Sequence, residues 1–262
     1  MDIIVCVKCV PETAEAALKI DSSGRFVEKT GLVFDINEWD EYALEEAIRI
    51  KEKFGGTATV ITVGPEEADF VLRKCLARGA DRAIRIVDPK YMESDAYVTA
   101  KILYSAVRTM HFDVILTGVQ ASDDGYAIVG PALAELLGVP HVTMVKKIEF
   151  DGGAALVHRE LEGGLEEVLE VKIPALFAVQ TGINEPRYIS IMGIRKAAQK
   201  EIKTMGLTDI GLSENDVGET GSWLRIEKLY VPLMEKKTQL IGGSPDEVAN
   251  KIVEILRMRG LI

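Results

Sequence analysis

The stretch DVILTGVQASDDGYAIVGP, residues 113–131, contains in order an apolar run, a loop of small and polar residues, and the start of a helical pattern. It predicts a strand that ends at Thr117-Gly118 and a helix that begins near 125–130, with Pro131 in the first turn, where proline does not kink a helix. In an open α/β sheet, ligands bind outside the carboxyl ends of the strands. A helix N-terminus there offers unpaired N–H groups and a positive dipole end to a phosphate.

The loop inside this stretch suits a ligand that contacts the backbone. Gly118, Ala121, Gly125 and Gly130 would allow close approach because their side chains are small or absent. The neighbouring pair Asp123-Asp124 is unfavourable beside a phosphate, but its carboxylates can accept hydrogen bonds from a ribose. The stretch therefore predicts a nucleotide site, and an ordinary strand-to-helix loop remains the alternative, because glycine-rich loops alone are weak signals.

The same alternation of strands and helices extends over the first 140 residues. Apolar runs too short to be helices are separated by segments with helical spacing, and glycines stand where helix C-terminal caps are expected. The predicted strands are 3–7, 58–63, 83–87 and 113–118, and the predicted helices lie around 38–53, 68–76, 96–110 and 129–137. This order predicts an α/β fold, a Rossmann-like doubly wound and mostly parallel sheet.

The pattern changes after residue 145. Two β-rich runs, 145–150 and 155–161, flank the turn Asp151-Gly152-Gly153 and predict a β-hairpin excursion. Charged and apolar residues alternate over 167–173, as in a half-exposed strand. The apolar run 175–179 predicts a buried strand that returns to the sheet.

The last part of the chain predicts a linker and a C-terminal helix. A loop is expected over 181–192 and a basic helix over 194–203, whereas 204–222 is rich in Gly, Thr, Ser and Asp and predicts a linker. Ser244 and Glu247 have the spacing of a capping box at the start of a final helix. We predict two parts, a nucleotide-binding α/β domain over 1–203 and a C-terminal linker with a helical arm over 204–262.

Composition and charge exclude several classes of partner. The 262 residues include 31 Lys and Arg against 41 Asp and Glu, and the net charge of −10 disfavours a nucleic-acid partner. The sequence contains no run of roughly 18 apolar residues, so we predict no membrane insertion. The N-terminal sequence lacks a signal-peptide pattern. Cys6, Cys9 and Cys75 are an odd trio for a disulfide scaffold, which favours a reduced, cytoplasmic location.

The sequence contains no pattern typical of acid–base or nucleophilic catalysis. Cys6 and Cys9 have CxxC spacing, but they begin inside a predicted strand, where alternation points two such thiols to opposite faces. That placement disfavours metal or dithiol chemistry. His111, His141 and His158 are scattered, and neither a P-loop nor a GxGxxG motif follows the first strand. We therefore nominate no catalytic residue and no metal ligand.

Seven motifs occur in order along the chain: VCVKCVPET (5–13), NEWDEYALEEAIRIKE (37–52), VGP (63–65), LARGADRAIRI (76–86), DVILTGVQASDDGYAIVG (113–130), HRELEGGLEEVLEVKIPALFAV (158–179) and NEPRYISIMGIRKAAQKEI (184–202). In these motifs the chain resembles the β subunit of electron-transfer flavoproteins. The resemblance spans about 200 residues and is specific, because several unrelated motifs keep the family's order and spacing.

The resemblance implies a heterodimer with an α subunit that carries a redox-active FAD. It also implies that the β chain binds an adenine nucleotide at the positions that match the family's motifs. Those positions are Cys6, Asn37, Glu38, Trp39, Asp40, Val63, Gly118, Val119, Gln120, Ala121, Ser122, Asp123, Asp124, Gly125, Tyr126, Ala127, Ile128 and Val129.

A second implied site is a partner-recognition loop within 181–203. Electron-transfer flavoproteins use such a loop to bind dehydrogenases or quinone-linked redox partners, and Ile191 stands at the position of its apolar anchor. A small interface suits transient redox docking. The implied recognition residues are Asn184, Glu185, Pro186, Arg187, Tyr188 and Ile191.

The identity of the implied nucleotide depends on a few positions. The family's simple electron carriers bind AMP in the β subunit, whereas its electron-bifurcating members bind a second FAD. Pro11-Glu12-Thr13 resembles the Pro-Asp-Thr of the two-FAD type, which favours FAD. Two departures bear on the pose of the nucleotide, because Glu38 replaces the family's usual proline and Ile128 replaces a glutamine.

The resemblance therefore implies an electron-transfer subunit that is part of an NADH-dependent bifurcating oxidoreductase. In that scheme FAD accepts a hydride from NADH, and the two electrons separate towards the α-subunit FAD and towards ferredoxin or flavodoxin. The C-terminal arm is expected to pack on the α subunit. The alternatives are an AMP-binding carrier between dehydrogenases and a membrane quinone reductase, and a non-redox adenine-nucleotide-binding regulator.

Overall fold

The computed structural model describes residues 1–12, 18–232 and 238–262. These residues form two units, Met1–Lys228 and Leu229–Ile262. The strands are, in chain order, β1 (Asp2–Cys6), β2 (Cys9–Pro11), β3 (Phe34–Ile36), β4 (Thr57–Val63), β5 (Arg82–Val87), β6 (Val114–Gly118), β7 (His141–Asp151), β8 (Ala154–Glu160), β9 (Glu166–Lys172), β10 (Ala175–Val179) and β11 (Ile202–Gly206). The helices are α1 (Glu38–Phe54), α2 (Asp69–Arg78), α3 (Ala96–Val107), α4 (Val129–Leu137), α5 (Ile191–Gln199), α6 (Gly218–Gly221) and α7 (Pro245–Met258).

A nine-stranded sheet organises the first unit, in the order β11-β5-β4-β1-β6-β10-β7-β8-β9. The strands from β11 to β7 are parallel, and β8 and β9 extend the sheet by antiparallel pairing. β1 lies between β4 and β6, so the chain reverses its direction of winding at β1. The predicted doubly wound sheet and its hairpin excursion are confirmed, and the topological switch point lies between β1 and β6.

The two faces of the sheet pack against separate layers of helices. Along β1, Ile3 and Val5 belong to the cluster that includes α1 and α2, whereas Ile4 and Cys6 belong to the cluster that includes α3 and α4. Cys9 packs against the first cluster, so the thiols of Cys6 and Cys9 lie in opposite layers, as the alternation predicted. Burial raises the pKa of the Cys9 thiol to about 11, which keeps it protonated at neutral pH.

The three helix ends that glycines marked in the sequence agree with the structure, whereas α3 ends at Val107 and α5 spans Ile191–Gln199 instead of 194–203. Gly55, Gly79 and Gly138 follow α1, α2 and α4 with φ angles of 73°, 140° and 68°, values that favour glycine. Pro131 lies in the first turn of α4. These boundaries depend on short-range patterns, which explains why the sequence indicates them correctly.

The prediction of a linker over 204–222 was wrong. The basic helix is α5, which ends at Gln199, and the chain then forms β11, whose residues pair in parallel with β5. Leu207, Ile210 and Val217 follow and are buried in the second core layer. The glycines of this segment allow turns and close approach of the backbone. At Gly221, for example, a Cβ would lie 2.2 Å from the Asp216 carbonyl oxygen.

The second unit contains α7. The Ser244 N–H donates to Glu247 Oε2 at 2.7 Å and the Glu247 N–H donates to Ser244 Oγ at 3.4 Å, so the predicted capping box is confirmed. The apolar stripe of α7 includes Ile252, which is 46% exposed. Among the residues that the structure describes, no helix combines the length and apolar character needed to cross a bilayer.

Candidate nucleotide-binding site

A cleft opens at the switch point of the sheet, outside the carboxyl ends of β1, β4 and β6 and between the first turns of α3 and α4. It contains about 960 Å³ of atom-free space, including its open mouth. Its lining residues are Cys6, Val7, Lys8, Asn37, Asp40, Ile61, Val63, Tyr91, Ser94, Asp95, Ala96, Thr99, Leu103, Thr117, Gly118, Val119, Gln120, Ala121, Asp124, Tyr126, Ala127, Ile128, Val129 and Gly130.

The structure brings most of the sequence-predicted nucleotide residues to this one cleft. Thirteen of them line it: Cys6, Asn37, Asp40, Val63, Gly118, Val119, Gln120, Ala121, Asp124, Tyr126, Ala127, Ile128 and Val129. The other five are not among the described lining residues: Glu38, Trp39, Ser122, Asp123 and Gly125. Trp39 Nε1 donates instead to Gln180 Oε1 at 2.8 Å, and Glu38 lies in a second, shallow pocket beside Arg187.

Sequence reasoning did not nominate the side of the cleft formed by α3. Asp95 caps this helix by accepting a hydrogen bond from the Val98 N–H at 2.8 Å, and Thr99 and Leu103 follow on the face towards the cleft. An Asp immediately before a helical pattern is an N-cap signal that could have indicated this start. Lys8 was also missed, although it directly follows the first strand, where ligand-binding residues are expected.

Asp40 joins the carboxyl ends of β1 and β6 below the cleft. It is 5% exposed, and its carboxylate accepts the Lys8 N–H at 2.7 Å and the Gly118 N–H at 2.9 Å. Gly118 is required at this contact, because a Cβ there would lie 2.4 Å from Asp40 Oδ1 and 2.7 Å from the Cβ of Trp39. A helix-borne carboxylate therefore joins the ends of these two paired strands at the base of the cleft.

Burial raises the pKa of Asp40 to about 7. Its hydrogen bonds from the backbone N–H groups of Lys8 and Gly118 favour the ionised form, but they only partly offset the loss of hydration. Asp40 therefore changes protonation near neutral pH at the base of the cleft. A perturbed carboxylate in a cleft is typical of a functional site, and also of buried structural networks.

Asn37 determines the shape of the loop between β6 and α4. It is 1% exposed, its Nδ2 donates to the Gln120 carbonyl at 2.8 Å, and its Oδ1 accepts the Ser122 N–H at 3.0 Å. A side-chain amide that pairs with one N–H and one C=O satisfies two loop groups that would otherwise have no partner. Asn37 therefore orders the loop before any ligand is bound.

The same loop contains a backbone conformation that favours glycine. Gly125 has a φ of 62°, and Ala127 adopts a φ of 54° although it carries a Cβ. Such a conformation costs an alanine of the order of 1 kcal/mol or more and is common at ligand-binding loops. Ala127 lines the cleft, so this strained position lies at the site itself.

The first turn of α4 fits a phosphate. Val129 and Gly130 begin the helix, where N–H groups lack helical partners, and Pro131 has no N–H to leave unpaired. Thr117 Oγ1 is buried and finds no hydrogen-bond partner among the described residues. A Cβ on Gly130 would lie 2.8 Å from that hydroxyl oxygen, so the small residue keeps the Thr117 hydroxyl open towards the helix start. A buried hydroxyl without a partner next to free N–H groups is what a bound phosphate or ribose oxygen would satisfy.

The predicted recognition residues lie outside the cleft, and two of them, Asn184 and Arg187, contact α1 through their side chains. Arg187 donates through Nε to Glu45 Oε2 at 2.9 Å and through Nη1 to Glu52 Oε1 at 2.6 Å. The Glu45 side chain is 2% exposed. Burial alone would raise its pKa, but the bonds from Arg187 outweigh that effect and the pKa of Glu45 is lowered. The Arg187 contacts therefore attach the loop to the helix whose first turn forms the cleft.

The rest of the segment combines one more attachment with exposed apolar groups. Asn184 Nδ2 donates to the Tyr42 carbonyl and to Glu46 Oε2, both at 3.0 Å, and the Glu185 carbonyl accepts from Arg49. After Pro186 the chain turns outward, so that Tyr188 is 100% exposed and Ile191 is 73% exposed. An anchored loop with exposed aromatic and aliphatic side chains has the character of a docking surface.

Comparison with known proteins agrees with this geometry. A family model described as "Electron transfer flavoprotein domain" matches residues 26–210. The electron transfer flavoprotein subunit beta of Methylophilus methylotrophus is 41% identical over 262 residues, covering 98% of each chain. The chain belongs to the electron-transfer flavoprotein family, among its β subunits. Its work is therefore electron transfer.

Two further relatives of this family are named for particular systems. The caffeyl-CoA reductase-Etf complex subunit CarD of Acetobacterium woodii is 35% identical over 265 residues, covering 100% of each chain. Protein FixA of Azotobacter vinelandii is 34% identical over 259 residues, covering 95% of this chain and 91% of the relative. Such coverage extends beyond the matched family domain to Cys6 and Lys8 and into the second unit.

Of the two cysteines with CxxC spacing, Cys6 lies in the wall of the cleft and Cys9 packs against the opposite layer of the fold. In the described parts of the chain, no group of three or more His, Cys, Asp or Glu side chains is placed to bind a metal ion. Cys6 lines the cleft with its thiol buried, and burial raises its pKa far above the ordinary value. Cys6 therefore contributes a neutral, apolar part of the cleft wall.

Proposed function

We propose that this chain binds FAD in the switch-point cleft and forms a heterodimer with an α subunit that carries a second FAD. The pair is proposed to bifurcate electrons from NADH, sending one to a higher-potential acceptor through the α-subunit flavin and one to ferredoxin or flavodoxin. We propose a cytoplasmic location for this activity, because three cysteines do not suit a disulfide scaffold and favour a reducing compartment. A bound flavin supplies hydride acceptance and one-electron transfer, whereas the protein binds it, orients it and limits its contact with water.

The observation that carries the nucleotide part of this proposal is the arrangement of Thr117, Gly118 and Gly130. A buried hydroxyl without a partner in the described ranges, a helix start and two positions without side chains converge at the carboxyl end of β6. On the opposite wall, Ile61, Val63 and Leu103 provide an apolar surface suited to a ring system. Polar groups on one side and apolar groups on the other match the two ends of an adenine nucleotide.

FAD is proposed over AMP because of the chain after β1. Pro11-Glu12-Thr13 resembles the two-FAD members of the family, and the small Thr13 would leave room for an isoalloxazine ring. Thr13 lies outside the described residues, so this preference rests on the sequence. The similarity to CarD, a subunit of a caffeyl-CoA reductase-Etf complex, favours a chain that works within a larger redox assembly.

Nucleotide analysis tests the proposed cofactor. The chain is co-purified with its α subunit and denatured, and the released nucleotides are identified by chromatography and mass. About two FAD per heterodimer and no AMP is the expected result, and NADH-driven ferredoxin reduction is then measured. One FAD and one AMP contradicts bifurcation and indicates the simple carrier, whereas a colourless complex that binds ATP indicates the non-redox regulator.

Removing residues 244–262 is expected to weaken association with the α subunit. α7 is amphipathic and capped, and none of its residues is buried in the described chain, so its apolar stripe is proposed to pack on the partner. We expect the dissociation constant to rise by about tenfold or more, as for the loss of a central apolar contact. Analytical ultracentrifugation or calorimetry measures it, and an unchanged constant contradicts the docking role.

Replacing Ile191 with alanine is expected to raise the KM for the partner dehydrogenase by about tenfold with little change in kcat, because an exposed anchor contributes to docking and not to the flavin site. At 73% exposure the side chain adds little to folding, so the melting temperature should stay the same. Leu165→Ala, which truncates another exposed aliphatic side chain at 65%, is the matched control. Equal KM values for both variants would contradict a recognition role for Ile191.

A further inference from the structure

The charges in the wall of the cleft are unusual for a phosphate site. Three of the lining residues are carboxylic acids, Asp40, Asp95 and Asp124, and Lys8 is the single cationic lining residue within the described ranges. Nucleotide phosphates are anionic, so an acidic wall opposes their binding. The location of Lys8 therefore bears directly on how this cleft accepts a nucleotide.

Lys8 makes hydrogen bonds through both its backbone N–H and its side-chain ammonium. Its backbone N–H donates to Asp40 Oδ2 at 2.7 Å, which fixes the chain just after β1. Its ammonium donates to Asp123 Oδ1 at 2.7 Å and to Asp124 Oδ2 at 2.6 Å. Partial burial would lower the pKa of Lys8, but the two carboxylates outweigh that effect and the pKa is raised. The side chain thus bridges the end of β1 to the loop between β6 and α4, 115 residues away in sequence.

We propose that Lys8 is a positioning residue for the nucleotide, which closes the loop 118–129 over the cleft and neutralises Asp123 and Asp124 beside the phosphate. This inference rests on the proposed nucleotide-binding function. The bridge explains how a loop with two adjacent aspartates can border an anion site. One ammonium between two carboxylates leaves one net negative charge at that edge of the cleft, whereas loss of the ammonium leaves two.

The bridge acts on the loop and not on the ligand directly. Both carboxylates contact the Lys8 ammonium, and the phosphate site is formed by the first turn of α4 and the Thr117 hydroxyl. The Lys8 side chain is 40% exposed, so its charge is partly screened by salt. A charge effect of this kind is distinguished from a packing effect by its dependence on ionic strength.

The test measures nucleotide release from the co-purified heterodimer. Wild type, Lys8→Gln, Asp123→Asn/Asp124→Asn and the triple variant are diluted, and the protein-bound FAD and AMP are quantified over time by filtration and chromatography. We expect Lys8→Gln to release the β-site nucleotide about tenfold faster at low salt, with a smaller difference at high salt, because an unscreened carboxylate pair then faces the phosphate. About one equivalent of FAD per heterodimer is expected to stay bound in the α subunit of every variant, since the substitutions lie outside that subunit, and the release rate is taken from the nucleotide bound beyond that equivalent.

The triple variant decides between positioning and direct contact. Recovery of slow release when both aspartates are neutral in the Lys8→Gln background supports the proposal. Release as fast as in Lys8→Gln alone overturns it and indicates that the lysine contacts the phosphate itself. Equal release from wild type and Lys8→Gln also overturns it. If the wild-type heterodimer contains no β-site nucleotide at all, the proposed function fails, which is a separate outcome from any difference among the variants.

Discussion

Replacing Gly118 with alanine is expected to lower the melting temperature of the protein by about 2–12 °C, since overpacking costs about 1–3 kcal/mol and each kcal/mol shifts a chain of this size by about 2–4 °C. The new Cβ would lie 2.4 Å from Asp40 Oδ1, 2.7 Å from the Trp39 Cβ and 3.1 Å from the Asp40 backbone nitrogen. Two of these atoms belong to or adjoin the α1 backbone, so the helix itself must move.

The same substitution is expected to remove nucleotide binding. Moving Asp40 away from β6 breaks its bond to the Gly118 N–H and leaves that buried donor without a partner. The end of β6 and the start of the loop then shift together, and the cleft loses the arrangement of Thr117 with the first turn of α4. Calorimetry measures the stability, and chromatography of the extracted nucleotide measures the binding.

Gly153→Ala is the matched control for Gly118→Ala. Gly153 lies in the hairpin turn, has no φ in the left-handed region and has no heavy atom within 4 Å of an added Cβ. It should leave both the melting temperature and the bound nucleotide unchanged. A Gly118→Ala protein as stable and as fully loaded as this control would contradict the role assigned to the contact with Asp40.

Replacing Asp40 with asparagine is expected to cost about 1–3 kcal/mol of unfolding free energy, because it leaves a buried donor unsatisfied. The carboxylate accepts two backbone N–H groups, from Lys8 and from Gly118. The asparagine nitrogen has no lone pair to accept with, so one of the two bonds is lost. Nucleotide retention should also fall when this hydrogen bond is lost, since the ends of both strands border the cleft.

Asp40 also predicts a specific pH dependence. Its pKa is raised from 3.8 to about 7 in the folded protein, so between these values the folded state binds more protons at this site than the unfolded state does. The contribution of Asp40 to stability is therefore fully present below about pH 4 and is lost as the pH rises through about 7, with a slope of at most about 1.4 kcal/mol per pH unit.

Urea unfolding of wild type and Asp40→Asn between pH 5 and 8 measures this effect. The stability of the wild type relative to the variant should decrease with rising pH and level off above the pKa of Asp40. Asp151→Asn, in the exposed hairpin turn, removes one negative charge without a buried hydrogen bond and should show no such slope. A difference between wild type and Asp40→Asn that is constant with pH would contradict the raised pKa.

Particular elements show what local patterns could predict. The strand at 58–63, the glycine after α1 and the capping box at Ser244 all appear in the structure where the sequence placed them. Each depends on residues a few positions apart, through side-chain alternation, a left-handed backbone position or a cap that accepts an N–H. The failure over 204–222 has the opposite cause, because β11 gains its hydrogen bonds from β5, more than a hundred residues earlier.

The candidate site likewise has one part that the sequence could predict and one part that it could not. The loop 118–129 and the helix start after it were predictable, because strand, glycines and proline are contiguous and the carboxyl ends of parallel strands share one edge. The α3 wall, with Asp95 and Thr99, was not, because its residues resemble those of any capped amphipathic helix. Only the fold brings that helix start beside the switch point.

The sequence by itself determined the order of strands and helices, the doubly wound class and, through its motifs, membership of the electron-transfer flavoprotein family. The order of elements and the fold class follow from periodicity along the chain, whereas the family follows from the resemblance of the motifs to those of known members. The tertiary structure alone decided that Asp40 bridges two strand ends, that Lys8 pairs with Asp123 and Asp124, and that Arg187 binds Glu45. Those contacts join residues 32 to 142 positions apart, and their energies depend on burial and geometry that no local pattern encodes.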